Sequence, residues 1–297
     1  MKHNLAVTLI LLTLFFVTQM VGLGLIASEM DVVVDEQGVV QVTYQETAIG
    51  ERPETEGVGS FALLVIGVAL GTILLLVLIK LRQVMVWKMW YFAAVTLTIT
   101  IALGVLLPVW IAGVLGVGLA AWKIFRTNPI IHNFTELLVY AGIALLVSPL
   151  LDVFWAAAVL LAFALYDVYA VFKSKHMIAM AQFQTESKLF AGMMIPSPPR
   201  TTTARKTTKK QAESKSAILG GGDIALPLIF SGAALHWLVE AGQPIVVAYA
   251  LTLIISLCAT LALAALFVYA KKGRFYPAMP PIAAGCFIGL AIIWLLI

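Results

Sequence analysis

Apolar positions in this chain neither alternate with polar ones nor recur as a helical stripe. They fill long unbroken runs, each ended by charge or by Pro and Gly. An α-helix rises about 1.5 Å per residue, so about 20 apolar residues cross a hydrocarbon core. The runs predict nine helices, at Leu5–Ala27, Val58–Ile79, Trp90–Leu107, Val109–Trp122, Glu136–Leu150, Val153–Phe172, Ile218–Leu238, Ile245–Ala270 and Pro277–Leu296. The fold class is therefore an all-α integral membrane bundle. The third and fourth helices are divided only by Pro108, and Gly113, Gly116 and Gly118 follow at a spacing suited to close helix packing. The first run follows Lys2 but outlasts the 7–15 apolar residues usual in a signal peptide, so it reads as a retained span. No internal repeat is visible.

Composition agrees with that solvent. Hydrophobic residues make up 62% of the 297 and charged residues 11%, against roughly 25% charged in soluble domains. Cys258 and Cys286 lie in separate apolar runs and offer neither a disulfide framework nor a metal cluster; both read as packing residues. The net charge of +4 is a matter of topology rather than a patch. Across the alternating loops, Arg52 alone of the 19 Lys and Arg residues falls on one side. Positive charge stays inside, so the N-terminus is expected in the cytoplasm and the C-terminus outside.

Two loops are long. Residues 28–57 are acidic and external, and Val32–Val34 and Val39–Tyr44 flank a turn there, which predicts a β-hairpin. The cytoplasmic loop 173–217 opens with Met177–Met194, a mixed stretch suited to the membrane surface, and continues as a Pro, Thr, Ser and Lys segment expected to be flexible. Its basic tract Arg205–Lys210 suits anionic lipid or topology anchoring rather than nucleic acid. The chain then divides into residues 1–172 with six helices, the loop 173–217, and residues 218–297 with three helices.

Two acidic residues lie inside apolar helices, Asp167 in the sixth and Asp223 in the seventh. A carboxylate in that position costs at least about 2.5–3.5 kcal/mol, which makes each a functional candidate. Asp167 precedes Lys173 by about 9 Å of helix, and Asp223 lies about 8–12 Å beyond the same face. Consecutive helices run antiparallel, so the two acids can meet at one level. Two adjoining carboxyls share a proton, one activating a water while the other donates to a carbonyl. The same pair could carry protons or cations in a transporter, or serve packing alone.

Neighbouring residues bear on that choice. Gly220-Gly221-Gly222 weakens a helix start and lets another backbone approach Asp223, with Gly220 and Gly222 giving an extended strand room. Pro277-Ala278-Met279-Pro280-Pro281 begins at the same depth. Prolines remove donors, and Pro280-Pro281 is expected to break regular turns and free carbonyls for an unwound strand. Other intramembrane chemistries fit worse. A zinc protease needs HExxH, which His132, His176 and His236 do not open, and Ser231 and His236 are not spaced for one helix face.

These residues resemble the GxGD intramembrane aspartyl proteases, the family of presenilin and signal peptide peptidase. Tyr166-Asp167 matches the YD motif of the sixth helix, Gly220-Gly221-Gly222-Asp223 matches GxGD, and Pro277-Ala278-Met279-Pro280 matches PALP with Met279 in place of Leu. Prepilin peptidases share GxGD, but no amino-terminal cysteine cluster is present. The resemblance covers the whole chain and implies a nine-helix presenilin-like fold without cofactor or metal. Asp167 and Asp223 would be catalytic, and Tyr166, Gly220, Gly221, Gly222, Pro277, Ala278, Met279 and Pro280 would shape the site and the substrate strand. The expected partners are single-span transmembrane substrates and membrane lipid, not nucleic acid; a homo-oligomer is compatible with the sequence. A cytoplasmic N-terminus is the presenilin-type orientation, and signal peptide peptidases are inverted.

The distribution of basic residues makes one prediction directly. Single cysteines placed in 28–57 should label from outside and those in 200–215 from the cytoplasm. The reverse labelling would impose the inverted orientation.

Overall fold

A computed structural model describes residues 5–35, 40–52, 55, 57–81, 83–126, 128–174, 190–196, 217–270 and 276–297. Nine α-helices occupy them: α1 (Leu5–Ser28), α2 (Val58–Lys80), α3 (Val84–Gly104), α4 (Val109–Phe125), α5 (Pro129–Val147), α6 (Val153–Tyr169), α7 (Gly222–Glu240), α8 (Ile245–Tyr269) and α9 (Met279–Leu296). Eight are long and apolar enough to cross a membrane, while α4 has 17 residues. At 1.5 Å per residue α4 is about 25 Å long, near the hydrocarbon thickness.

The most buried helix is α7, enclosed by α1, α5, α6, α8 and α9. Its sequence suits the centre, because Ala225, Ser231, Gly232, Ala233 and Ala234 are small and buried, so neighbouring backbones can approach. A Cβ on Gly232 would lie 2.7 Å from the Ser148 side chain, and one on Gly22 of α1 would lie 2.4 Å from Leu228. Gly285 and Gly289 bring α9 against the α8 backbone at Cys258 and Ile255. The pair α3–α4 lies outside α5. Of the three glycines within α4, only Gly116 meets a neighbour, at Thr96 and Thr100 of α3; Gly113 and Gly118 face open space. The outlying helix is α2, barely buried and packed mainly on α3 and α6.

Three expected helix starts move. The third helix begins at Val84, not Trp90, and takes in the apolar residues Val84, Met85, Val86 and Trp87 that precede and flank Lys88. The fifth helix begins at Pro129, not Glu136, because the Asn128 side chain accepts from the Ile130 N–H at 2.9 Å and Pro129 takes the first turn. The seventh begins at Gly222, not Ile218. Residues Ala217–Gly220 form strand β4, antiparallel to β3 (Gly192–Ile195), with Gly192 opposite Gly220 and Ile195 opposite Ala217. The glycine run therefore joins a strand to a helix. Most of Met177–Met194 and all of Arg205–Lys210 lie outside the described residues, and Gly192–Met194 is strand rather than a surface segment.

The acidic hairpin forms as β1 (Met30–Val34) paired antiparallel with β2 (Val40–Tyr44). Arg52 ties it to the bundle, donating to the Glu29 carboxylate, to the Gln45 carbonyl and to the Leu145 carbonyl. The Tyr44 hydroxyl lies 2.9 Å from His236 Nδ1, with the rings stacked, and His236 Nε2 lies 3.0 Å from Glu240. Burial pushes the Tyr44 phenol well up from its ordinary value, so it stays neutral as a hydrogen-bonding group.

Close backbone contact at Gly142 can be tested against an open position. A Cβ there would stand 2.0 Å from the Thr98 carbonyl oxygen, whereas one on Gly113 meets nothing within 4 Å. Gly142→Ala should destabilise the protein by about 1–3 kcal/mol through overpacking, while Gly113→Ala should leave it unchanged or slightly more stable. Thermal unfolding in detergent distinguishes the two outcomes.

Candidate active site

The structure brings Asp167 and Asp223 together. Asp167 sits near the end of α6, just before the helix widens into a π-turn over Ala170–Ser174, a geometry frequent at functional sites. Asp223 is the second residue of α7, directly after the β4 strand. Both are half-buried, and each lies within electrostatic reach of the other.

Backbone donors hold each carboxylate. Asp167 Oδ2 accepts the Met279 N–H at 3.1 Å, and the Ala278 N–H also donates to this carboxylate. Both belong to the start of α9, where the N–H groups have no intrahelical partners and carry partial positive charge. The two prolines explain that geometry differently from the sequence expectation. Pro280 and Pro281 lie in the first turn of α9, where the missing N–H breaks no bond. They begin the helix, and the Met279 N–H before them reaches Asp167. The Ile282 N–H reaches the Ala278 carbonyl, while Pro280 and Pro281 have no N–H with which to close helical bonds onto the Tyr276 and Pro277 carbonyls.

Asp223 folds back on the strand that precedes it. The Gly220 N–H donates to its carboxylate, and a Cβ on Gly220 would stand 3.1 Å from Asp223 Oδ2. Gly221 caps α7, its carbonyl accepting from Ile224 and Ala225. The three glycines occupy different surroundings. Gly221 presses on Tyr140, where a Cβ would fall 2.7 Å from the hydroxyl, and Gly222 has nothing within 4 Å. The tight position is thus the middle glycine, and the space beside Gly222 is open. Further along α7, Pro227 has no N–H to close the helical bond onto the Asp223 carbonyl. The neighbouring Ile224 carbonyl accepts from Nε2 of the buried Gln19 of α1 at 3.0 Å.

Tyr166 is 42% exposed, and as the helical neighbour of Asp167 it projects about 100° away around α6. Between α6 and α9 runs an apolar cleft of about 220 Å³, lined by Leu161, Leu165 and Val168 on one side and Pro280, Ala284 and Phe287 on the other. Its α6 wall is exposed on the outside of the bundle. Sequence reasoning did not single out Tyr140, Gln19 or Glu136. The signal available for Tyr140 and Glu136 was their spacing of four on one face of α5, which counts for little until the facing residues are known.

A membrane helix bundle with two adjoining carboxyls, each aimed by backbone N–H groups, defines the class of aspartate-dependent membrane proteins. The chain belongs to the family described as signal-peptide peptidase, presenilin aspartyl protease, whose model matches residues 10–297. Its fold is similar to two solved structures of a presenilin family intramembrane aspartate protease. One, in a C222 space group, aligns with TM-score 0.62 and 17% identity over 98% of this chain and 99% of that one. The other, in a P2 space group, gives TM-score 0.60 and 19% identity over 99% and 98%. No curated protein matches in pairwise sequence comparison. The protein is an intramembrane aspartyl protease by family, and membership lends no support to the transporter alternative.

The unequal surroundings of the glycines predict unequal tolerance. Gly221→Ala must displace Tyr140 or the α7 cap and should cost about 1–3 kcal/mol of stability. Gly222→Ala should fold like the wild type. Equal thermal midpoints for all three proteins would contradict the described packing.

Proposed function

We propose that Asp167 and Asp223 form the catalytic dyad of a GxGD-type endopeptidase that hydrolyses peptide bonds within single-span transmembrane substrates. The observation that carries this reading is the pairing of the two carboxyls with backbone donors drawn from two separate segments, Ala278–Met279 and Gly220. The two acids share one proton, since two adjoining negative charges cannot coexist cheaply in low dielectric. The ionised member takes a proton from water, the water oxygen attacks the scissile carbonyl, and the protonated member donates to the carbonyl oxygen. The resulting gem-diol collapses with proton transfer to the leaving nitrogen, giving a carboxyl and an amine without a covalent enzyme intermediate.

The substrate approaches along the apolar cleft between α6 and α9, whose lining matches a lipid-embedded helix. It must unwind at the cut, and each exposed amide in hydrocarbon costs several kcal/mol without a partner. The space beside Gly222 and the segment Pro277–Met279 lie next to the carboxyls and suit an extended strand. Tyr166 and Pro280 would line its path. The N-terminus is assigned to the cytoplasm and the C-terminus to the outside, on the distribution of basic residues, so the dyad lies nearer the cytoplasmic face.

With purified protein and a single-span substrate, Asp167→Asn or Asp223→Asn alone should abolish cleavage while leaving the fold intact. The double variant should be no worse than either single one. Activity should fall at low pH, where both carboxyls are protonated, and again at high pH, where both are ionised. Substantial cleavage by either single variant would remove the dyad.

A further inference from the structure

Lys123 of α4 and Glu136 of α5 form an ion pair whose side chains are 2% and 1% exposed. Both lie within membrane helices, although in the sequence they read as charges near the cytoplasmic side. Burying two charges is costly, and a buried pair persists where further hydrogen bonds satisfy it. Here they do. The Glu136 carboxylate accepts from Lys123 Nζ, from the Tyr140 hydroxyl and from the Gly192 N–H at 3.1 Å, and the Tyr91 hydroxyl lies 3.4 Å away. A carboxylate has about four acceptor sites, so Glu136 is saturated.

Two of those partners lead to Asp223 by separate routes. Gly192 opens β3 and pairs with Gly220, the last residue of β4 before the turn into Asp223. His132 Nε2 meets the Gly192 carbonyl at 2.8 Å, and Asn133 exchanges two bonds of 2.9 Å with the N–H and carbonyl of Met194. The start of α5 thus fixes the strand register. By the other route, Tyr140 is held by Glu136 and presses its hydroxyl on Gly221, where only glycine leaves room. Tyr140 also lies within electrostatic reach of Asp223.

We propose that Glu136, neutralised by Lys123, is the positioning residue for Asp223, acting through Tyr140 on Gly221 and through the β3–β4 pair on Gly220. This rests on the reading of Asp223 as catalytic. Glu136 touches no reacting atom. It clamps the strand-to-helix turn from two sides, which matters because three consecutive glycines would otherwise leave that turn loose. A mere staple between α4 and α5 would require the ion pair but not the Tyr140 hydroxyl at Gly221.

The test uses the full chain and a single-span substrate. It compares wild type, Tyr140→Phe, the double variant Lys123→Met/Glu136→Gln, which strands no charge, and Asp223→Asn. For each, kcat and KM are measured separately, together with thermal unfolding and the affinity of a hydroxyl-bearing transition-state isostere that bonds both carboxyls. Tyr140→Phe should lower kcat about 10- to 100-fold, as displacement of a reacting group by about 1 Å does. It should weaken the isostere by a similar factor while KM holds and the protein stays folded, with its unfolding midpoint lowered by loss of the hydrogen bond to Glu136. The double variant should lose kcat to at least the same extent. Wild-type kcat and isostere affinity in Tyr140→Phe, with Asp223→Asn inactive, would overturn the positioning role and leave the proposed function standing. An active Asp223→Asn would overturn the function itself. Should Tyr140→Phe fail to fold, wild-type kcat in the folded double variant overturns the proposal equally.

Discussion

In hydrocarbon every polar group must find its partner within the protein, and the structure is organised around meeting that demand at one place. Two carboxyls sit together between apolar helices, and backbone N–H groups reach both. Asp167 is met from the start of α9, at Ala278 and Met279, and Asp223 from the end of β4, at Gly220. Helix starts and strand ends are the positions where a backbone has donors to spare. A continuous helix through either segment would bind those donors internally and leave the acids without them.

The same demand explains the packing. A helix with a glycine-rich, strand-joined start cannot hold its own position, so α7 is enclosed by α1, α5, α6, α8 and α9. Small residues let those neighbours close in, at Gly22, Gly142, Gly232, Gly285 and Gly289. By contrast, the α6–α9 side remains cleft and apolar next to Asp167. Rigid packing behind the acids and an accessible face beside them suit a reaction on a lipid-embedded chain.

Much of this was legible in the sequence, and the misses have physical causes. Unbroken apolar runs mark spanning helices strongly, so the helix order and the approach of Asp167 to Asp223 could be read without coordinates. The start of α5 was carried by Asn128-Pro129, a cap signal masked by the polar residues that follow it. Ala217–Gly220 continues the apolar run of α7, and its strand character depends on Gly192–Ile195, which is remote in sequence. Pro280-Pro281 looked like a helix breaker but sits where a helix tolerates proline. Lys123 and Glu136 looked like solvated charges because nothing local says they face each other. Pairing across the bundle, unlike hydrophobicity along it, leaves no short-range signature.

The most direct measurement is the mass of the fragments released when purified protein cuts a single-span substrate in ¹⁸O-labelled water. The expected result is a cut inside the apolar segment of the substrate, toward its cytoplasmic side, with ¹⁸O in the new carboxyl terminus and no fragments from Asp223→Asn. Fragments ending only in the soluble flanks of the substrate, or the same fragments from Asp223→Asn, would contradict it.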